Sequence, residues 1–107
     1  MARKVSKQII IAFLNGTAKC VGNTFTDGNA IYLHGNKIIW KEGEAYPVQY
    51  NITLAGWPTV TTRERINAFL TAIGAKAGVF QSNHYQFFTS IDGNTRAIES
   101  EEIISIY

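Results

Sequence analysis

The sequence has 107 residues, of which 46% are hydrophobic and 17% are charged, and its formal net charge is +2. This composition argues against disorder and predicts one folded domain over residues 1–107, since a chain of this size buries roughly two thirds of its unfolded surface. The small net charge is no indication of a nucleic-acid partner, because nucleic-acid-binding domains are usually strongly basic.

Cys20 is the single cysteine of the sequence, so no disulfide bond can form within the chain. A small domain without disulfides fits a reducing compartment. The apolar run Ile9–Leu14 is shorter than the apolar region of a secretory signal peptide, which has about seven to fifteen residues, and no segment approaches the ~20 apolar residues of a membrane span. We therefore expect a soluble cytosolic protein with no membrane partner.

The first half of the chain is predicted to form mainly strands. Val5–Leu14 is apolar without alternation, which indicates a strand buried on both faces or a segment that is in part helical. After it, short β-rich runs are separated by three or four residues that include glycine, the pattern of hairpins. Residues 24 to 54 are therefore predicted to form a meander of four strands, at Thr24–Thr26, Ala30–Leu33, Lys37–Trp40 and Ala45–Leu54.

Ala45–Leu54 carries the clearest strand pattern, because apolar and polar residues alternate along it. Pro47 cannot donate to a sheet ladder, so it marks a strand start or an edge. Three Gly-Asn steps lie between Gly22 and Asn36. Because strands flank them so regularly, these steps are predicted to be turn corners and not a phosphate-binding loop.

One segment has a clear helical period. The apolar residues of Ile66–Ile73 are spaced three and four apart, with polar residues on the other side. Thr61 and Glu64 have the spacing of a capping box, and Gly74 stands where a helix-terminating glycine is expected. The sequence predicts an amphipathic helix over about 62–73.

Four short strands are predicted after the helix, at Val79–Gln81, Tyr85–Thr89, Thr95–Ile98 and Ile103–Tyr107. The whole pattern predicts an α+β fold, with an antiparallel meander sheet or partly open barrel of about six to nine short strands and one helix covering a face.

Motifs for catalysis and cofactor binding are missing from the sequence. It contains neither a Walker phosphate loop nor a Gly-x-Gly-x-x-Gly dinucleotide fingerprint, and Cys20 has no local catalytic motif. His34 and His84 are fifty residues apart, and Cys20 has no CxxC partner. We predict no catalytic residue, no metal and no cofactor, and we expect that the protein is not an enzyme.

Seven residues are candidates for contacts with a partner: His34, Lys37, Trp40, Lys41, Trp57, Arg63 and Arg65. Trp and Arg are over-represented among interface anchors. Single-stranded nucleic acids stack on sheet aromatics beside basic side chains. The competing interpretation is that strand aromatics belong to the core, so nucleic-acid binding requires that some of them point outward.

The stretch AIYLHGNKIIW, followed after a variable strand by AGWPTVTTRERINAFL, resembles a pattern in small uncharacterised proteins of tailed bacteriophages. Proteins of that family are similar in an N-terminal strand pair, a LYLHGN-like hairpin and a T-x-TT-x-R-x-N step into a helix. Residues Asn23 to Leu70 match this pattern well. The resemblance implies a phage product that acts in the bacterial host cytoplasm, and it implies no catalytic residue.

Three functions are compatible with these features. The first is a phage accessory protein that binds a host or phage protein, for example as an inhibitor of a bacterial defence system or host enzyme. The second is a single-stranded nucleic-acid-binding protein that uses Lys37, Lys41 and outward aromatics. The third is a nucleotide sponge or small enzyme centred on the turn histidines. An unpaired strand edge also leaves room for a homodimer.

Overall fold

A computed structural model describes residues 4–43 and 49–106. Within these ranges the chain forms two α-helices and nine β-strands. The elements are α1 Lys4–Leu14, β1 Lys19–Val21, β2 Thr24–Thr26, β3 Ala30–Leu33, β4 Asn36–Glu42, β5 Gln49–Ile52, α2 Val60–Ala72, β6 Gly78–Ser82, β7 Tyr85–Thr89, β8 Thr95–Ile98 and β9 Ile104–Ile106.

The strands form two antiparallel sheets. One has six strands in the order β1-β2-β3-β4-β5-β9, and the other has three in the order β6-β7-β8. This arrangement confirms the predicted α+β class with an open sheet, and it confirms the meander through β2, β3, β4 and β5. Residues 45–48 of the strand predicted at Ala45–Leu54, with Pro47, lie outside the described residues, as does Tyr107 of the strand predicted last.

Of the two alternatives for Val5–Leu14, the buried strand is wrong and the helical one is the closer, because the whole segment lies in helix α1. Its isoleucines favour strands by intrinsic propensity, but burial against the sheet decides the conformation. Ser6, Ile9, Ile10 and Phe13 are buried, a spacing of one, three and four residues that only a helix presents to a single surface. The molecule therefore has a second helix in addition to the predicted one.

Helix α2 confirms the predicted amphipathic helix but begins two residues before it, at Val60. Its N-cap is Thr59, whose hydroxyl accepts a hydrogen bond from the Thr62 N–H at 3.1 Å, so the capping box predicted for Thr61 is wrong. The predicted C-terminal glycine is confirmed. Gly74 has a φ of +77°, which a glycine adopts without steric cost at a helix end.

Both helices pack on one face of the six-stranded sheet, here called the inner face. Ile31, Ile39, Ile52 and Ile104 are cross-strand neighbours on this face and are all buried. Phe13 of α1 lies 5.7 Å from Phe69 of α2, measured between ring centroids. The core therefore lies between the helices and the sheet.

The opposite face of this sheet, the outer face, carries a row of aromatic residues. Cys20, Phe25, Tyr32 and Lys37 are successive cross-strand neighbours from β1 to β4. The Phe25 and Tyr32 rings stack at 4.6 Å. Trp40 lies on the same face, half-buried, with the Lys37 ammonium 4.7 Å from its ring centroid. Some of the strand aromatics therefore do point outward.

A candidate interaction pocket beside the β3–β4 hairpin

An open pocket of about 390 Å³ lies between the β3–β4 hairpin and the first turn of α2. Its apolar lining includes Leu33, Ile38 and Leu54, which are almost completely buried. Around them stand the exposed or partly exposed residues His34, Asn36, Trp57, Thr59 and Thr61, with the buried Thr62. The pocket therefore has an apolar floor and a largely polar rim.

The β3–β4 turn places His34 at the rim. Leu33 pairs with Asn36, so the turn has two residues, His34 with a φ of 51° and Gly35 with a φ of 81°. Two successive left-handed residues are typical of a type I′ turn, which suits the twist of a β-hairpin. Glycine adopts this conformation freely, whereas a residue with a side chain adopts it at a cost, and strained positions of this kind cluster at functional sites.

Asn23 holds the imidazole of His34. The pairing of Thr24 with Leu33 places Asn23 opposite His34, and the His34 N–H donates to the Asn23 carbonyl at 2.8 Å. The Asn23 Nδ2 lies 3.3 Å from the His34 Nε2. With the amide as donor, Nε2 is the acceptor, so in the neutral ring the proton is assigned to Nδ1.

Behind Asn23 lies a buried polar network that reaches α1 and α2. Thr24 Oγ1 donates to Asn23 Oδ1 at 2.9 Å and accepts from Arg65 Nε at 3.2 Å. Arg65 also donates to Ser6 Oγ at 3.0 Å and forms an ion pair with Glu64. Because the network is fully hydrogen-bonded, it can fix the orientation of Asn23 and through it that of His34.

Trp57 stands on the other side of the pocket. The loop before α2 is held by backbone bonds, from the Trp57 N–H to the Leu54 carbonyl at 2.9 Å and from the Thr59 N–H to the Trp57 carbonyl at 2.8 Å. The Trp57 side chain nevertheless remains 59% exposed. An ordered backbone with an exposed indole is suited to contact with a partner.

The remaining candidates lie elsewhere. Lys37 and Trp40 are on the outer sheet face. Lys41 points to the inner face, where its ammonium donates to the Phe13 and Gly28 carbonyls, both at 3.0 Å. Arg65 is 6% exposed and is committed to the buried network. Arg63 is half-buried and donates to the Gln86 Oε1 at 3.0 Å, which ties α2 to β7.

The sequence predicts His34 and Trp57 as separate candidates and does not place them in one site. It does not predict Asn23, Asn36 or Thr59 as site residues. The signal for Asn23 was present, since the turn at residues 27–29 sets the register that brings it opposite His34. No local signal connects Trp57 to the hairpin, because the two segments meet only when α2 packs on the sheet.

The apolar floor and the polar rim of the pocket are suited to holding a ligand or a side chain. Among the described residues that line it, none has a carboxylate, a thiol or an amine, and His34 supplies the one imidazole. In the described part of the chain, no three His, Cys, Asp or Glu side chains lie close enough to hold a metal ion. Pockets of about 300–1,000 Å³ with apolar linings and a few oriented polar groups commonly accept ligands or side chains.

A model of the protein family described as Kyanoviridae Gp96 protein matches residues 2–105. The comparison with curated proteins found no match, and neither did the comparison with solved structures. In the part of the chain that the structure describes, no helix has the length and apolar character needed to cross a membrane. Because the family model covers nearly the whole sequence, the chain belongs to the Kyanoviridae Gp96 family and is a small protein of tailed bacteriophages.

Proposed function

We propose that this phage protein acts by binding another protein, and that the pocket beside the β3–β4 hairpin is the contact site. The observation that carries the proposal is the exposed Trp57 beside an apolar floor formed by Leu33, Ile38 and Leu54. An apolar side chain of a partner would fill the floor, and the indole would cover it. Such buried anchors with a polar rim supply most of the binding energy in protein interfaces.

The two stretches that resemble other phage proteins support this assignment. AIYLHGNKIIW contributes Leu33, His34, Asn36 and Ile38 to the pocket, and AGWPTVTTRERINAFL contributes Trp57 and the threonines of the first turn of α2. The segments are separated in sequence and meet at one surface. We propose that the hairpin and helix start form the shared binding feature of the family.

The charge of the pocket favours a protein over a nucleic acid. The described residues that line it include no Lys or Arg, whereas nucleic-acid sites track the phosphate backbone with basic side chains. On the outer sheet face, Phe25 and Tyr32 stack on each other and Lys37 covers one side of Trp40. These contacts occupy ring faces on which a base would stack. Single-stranded nucleic acid is therefore the alternative and not the main proposal.

A phage protein of this kind would meet its partner in the bacterial host cytoplasm. The partner would be a host or phage protein, and a phage accessory protein that occupies a host enzyme or a component of bacterial defence would inhibit it. A surface pocket with few charges suits an exposed apolar side chain of a folded partner or of a short peptide segment.

The test uses tagged wild-type protein and two variants in a pull-down from host lysate. Trp57→Ala should lose a partner that the wild type retains, while Tyr85→Ala should keep it, because Tyr85 is 68% exposed but lies on β7, outside the pocket lining. Both side chains are exposed, so both variants should fold. If Trp57→Ala retains every partner of the wild type, the pocket is not the contact site.

Two further measurements separate the alternatives. If the wild type shifts single-stranded DNA or RNA in a gel at low salt and Lys37→Glu does not, the partner is a nucleic acid and not a protein. A nucleotide panel in a thermal-shift assay tests the sponge, since a ligand at a hundredfold its Kd adds about 2.7 kcal/mol to the free energy of unfolding. We expect neither signal.

A further inference from the structure

Helix α1 presents an exposed stripe of two lysines and two aliphatic side chains. Lys4, Lys7, Ile11 and Leu14 follow a spacing of three, four and three residues, which places them along one side of a helix. Ile11 is 61% exposed and Leu14 is 39% exposed. The buried residues of α1 occupy its other side, so packing on the sheet does not explain this second apolar strip.

A shallow groove of about 320 Å³ continues the stripe onto α2. Its lining consists of Lys7, Ile10, Ile11, Ala68, Thr71 and Ala72. Ile10 and Ala68 are nearly buried and form the floor, while Ile11 and Lys7 rise beside it. The small side chains of Ala68, Thr71 and Ala72 create a depression between the helices, into which a side chain of a partner can fit.

The described lining of the groove carries positive charge, on Lys7, and no negative charge. The sequence of α1 contains lysines and no acidic residue, and none of the described residues that line the groove is acidic. Lys76, which follows α2, is exposed. Glu64, the acidic residue in the sequence of α2, lies one helical turn before Ala68, and its carboxylate accepts from Ser6 Oγ and pairs with Arg65.

We propose that the groove and the stripe Lys4, Lys7, Ile11 and Leu14 form a second docking surface, for an acidic amphipathic segment of a partner protein. Apolar side chains of the segment would pack on Ile11, Leu14 and Ala72. Its carboxylates would pair with the lysines at the rim. Complementary charge of this kind fixes register and accelerates encounter, and an amphipathic helix laid in an apolar groove is a common mode of recognition.

Three other occupants fit the face less well. A lipid surface requires a broad apolar face that enters the membrane interface, whereas two exposed aliphatic side chains form only a narrow strip here. A nucleic acid pairs with polar, strongly basic surfaces, whereas this groove has an apolar floor. A second copy would bring lysines and no described carboxylate to a shared two-fold interface, so no described charge pair would stabilise it.

This surface is separate from the pocket beside the β3–β4 hairpin. On α2, Thr62 is the last residue that lines the pocket and Ala68 is the first that lines the groove. At about 1.5 Å of rise per residue, the two residues are roughly 9 Å apart along the helix axis, and the two linings share no described residue. The proposal therefore does not depend on the proposed function, and a variant of one surface leaves the other intact.

The test begins with a peptide-display selection on the immobilised full-length protein. We expect enriched peptides with several Asp or Glu and apolar residues spaced three or four apart. Binding of one such synthetic peptide should fall at least tenfold for Ile11→Ser and for Lys7→Glu, and it should weaken with salt. Trp57→Ala and Lys37→Glu are the matched controls and should bind as the wild type does.

Exchanging the charges of the protein and the peptide tests whether Lys7 pairs with the carboxylates of the peptide. A peptide with Lys in place of its Glu residues should recover binding to Lys7→Glu and lose binding to the wild type. Circular dichroism and the melting temperature should be unchanged for Ile11→Ser, because the side chain is exposed. Selection of peptides without acidic residues, or of none, overturns the proposal. The proposal is also overturned if the wild type binds anionic vesicles, binds single-stranded DNA or self-associates, and Ile11→Ser loses that property.

Discussion

At the scale of single residues, His34 combines backbone strain with a side chain held by a specific partner. Its φ of 51° is one that L-residues adopt at a cost of roughly 1–2 kcal/mol. Its imidazole is nevertheless positioned by Asn23 at the pocket rim. A position that is unfavourable for folding but well placed for contact is what a binding role predicts.

We therefore expect His34→Asn to separate stability from binding. Asn-Gly is the preferred pair for a type I′ turn, so the free energy of unfolding should stay equal or rise by up to about 1 kcal/mol. Binding of the partner identified by pull-down should fall, because the imidazole is lost from the rim. Urea unfolding and a titration with that partner measure the two effects. Parallel loss of stability and binding would contradict the separation.

Asp27 is predicted to give a small acid-dependent contribution to stability. Its carboxylate accepts the N–H groups of Asn29 and Ala30 at 2.8 and 2.9 Å, and these bonds lower the pKa of Asp27 below its ordinary value of 3.8. A lowered pKa means that the stabilisation is present above the pKa of the unfolded chain and is lost as pH falls through the folded pKa.

The measurement compares the pH dependence of the free energy of unfolding for wild type and Asp27→Asn below pH ~5. The wild-type value should fall more steeply with acid, while the amide retains a neutral acceptor oxygen. Because Asp27 is exposed to solvent, the difference should stay below about 1 kcal/mol. Identical slopes would show that the turn does not depend on the carboxylate charge.

At the scale of elements, the cap of α2 decides where the helix begins. The Thr59 hydroxyl accepts the Thr62 N–H, whereas the predicted cap, Thr61, lies inside the helix. Both threonines are followed by residues suited to a first turn, so spacing alone does not distinguish them. The distinction arises from the loop after Leu54, which turns the chain before Val60.

Thr59→Ala should therefore lower the free energy of unfolding by about 1 kcal/mol, the usual cost of losing a threonine cap. Thr61→Ala is the matched control, and it should change the free energy of unfolding by no more than about 0.5 kcal/mol. Equilibrium denaturation of the two variants measures the difference. Equal costs would argue against Thr59 as the cap.

At the scale of the whole molecule, the three-stranded sheet is attached to the rest mainly through α2. Asn67 Nδ2 donates to the Val79 carbonyl at 2.9 Å, and the Val79 N–H donates to Asn67 Oδ1 at 2.8 Å. Arg63 adds bonds to Gln81 and Gln86. The Asn67 side chain thus makes with Val79 a pair of hydrogen bonds like those that a neighbouring strand would make with β6.

Asn67→Ala should leave two backbone groups of Val79 without these partners, at a cost of about 1–3 kcal/mol. Hydrogen exchange should accelerate first in β6–β8, and the amides of β3–β5 should stay protected until global unfolding. Mass spectrometry of exchange, with the exposed Asn15→Ala as control, measures the order. Uniform loss of protection would show that the two sheets unfold as one unit.

Much of the fold followed from local patterns. Alternation located the strands, glycine located the turns, and helical spacing located α2, because each of these signals depends on a few neighbouring residues. The helical period of α1 was obscured, because part of its exposed side is aliphatic, as its buried side is. Its three successive isoleucines also suggest a strand.

The sequence by itself determined the strand order of the meander and the amphipathic helix α2. Only the tertiary structure decided that Arg65 and Lys41 turn inward and that Trp57 stands across a pocket from the hairpin. The physical reason is distance along the chain. Contacts between residues twenty or more positions apart form through packing of α2 and α1 on the sheet, and local sequence patterns carry no information about which side chains that packing brings together.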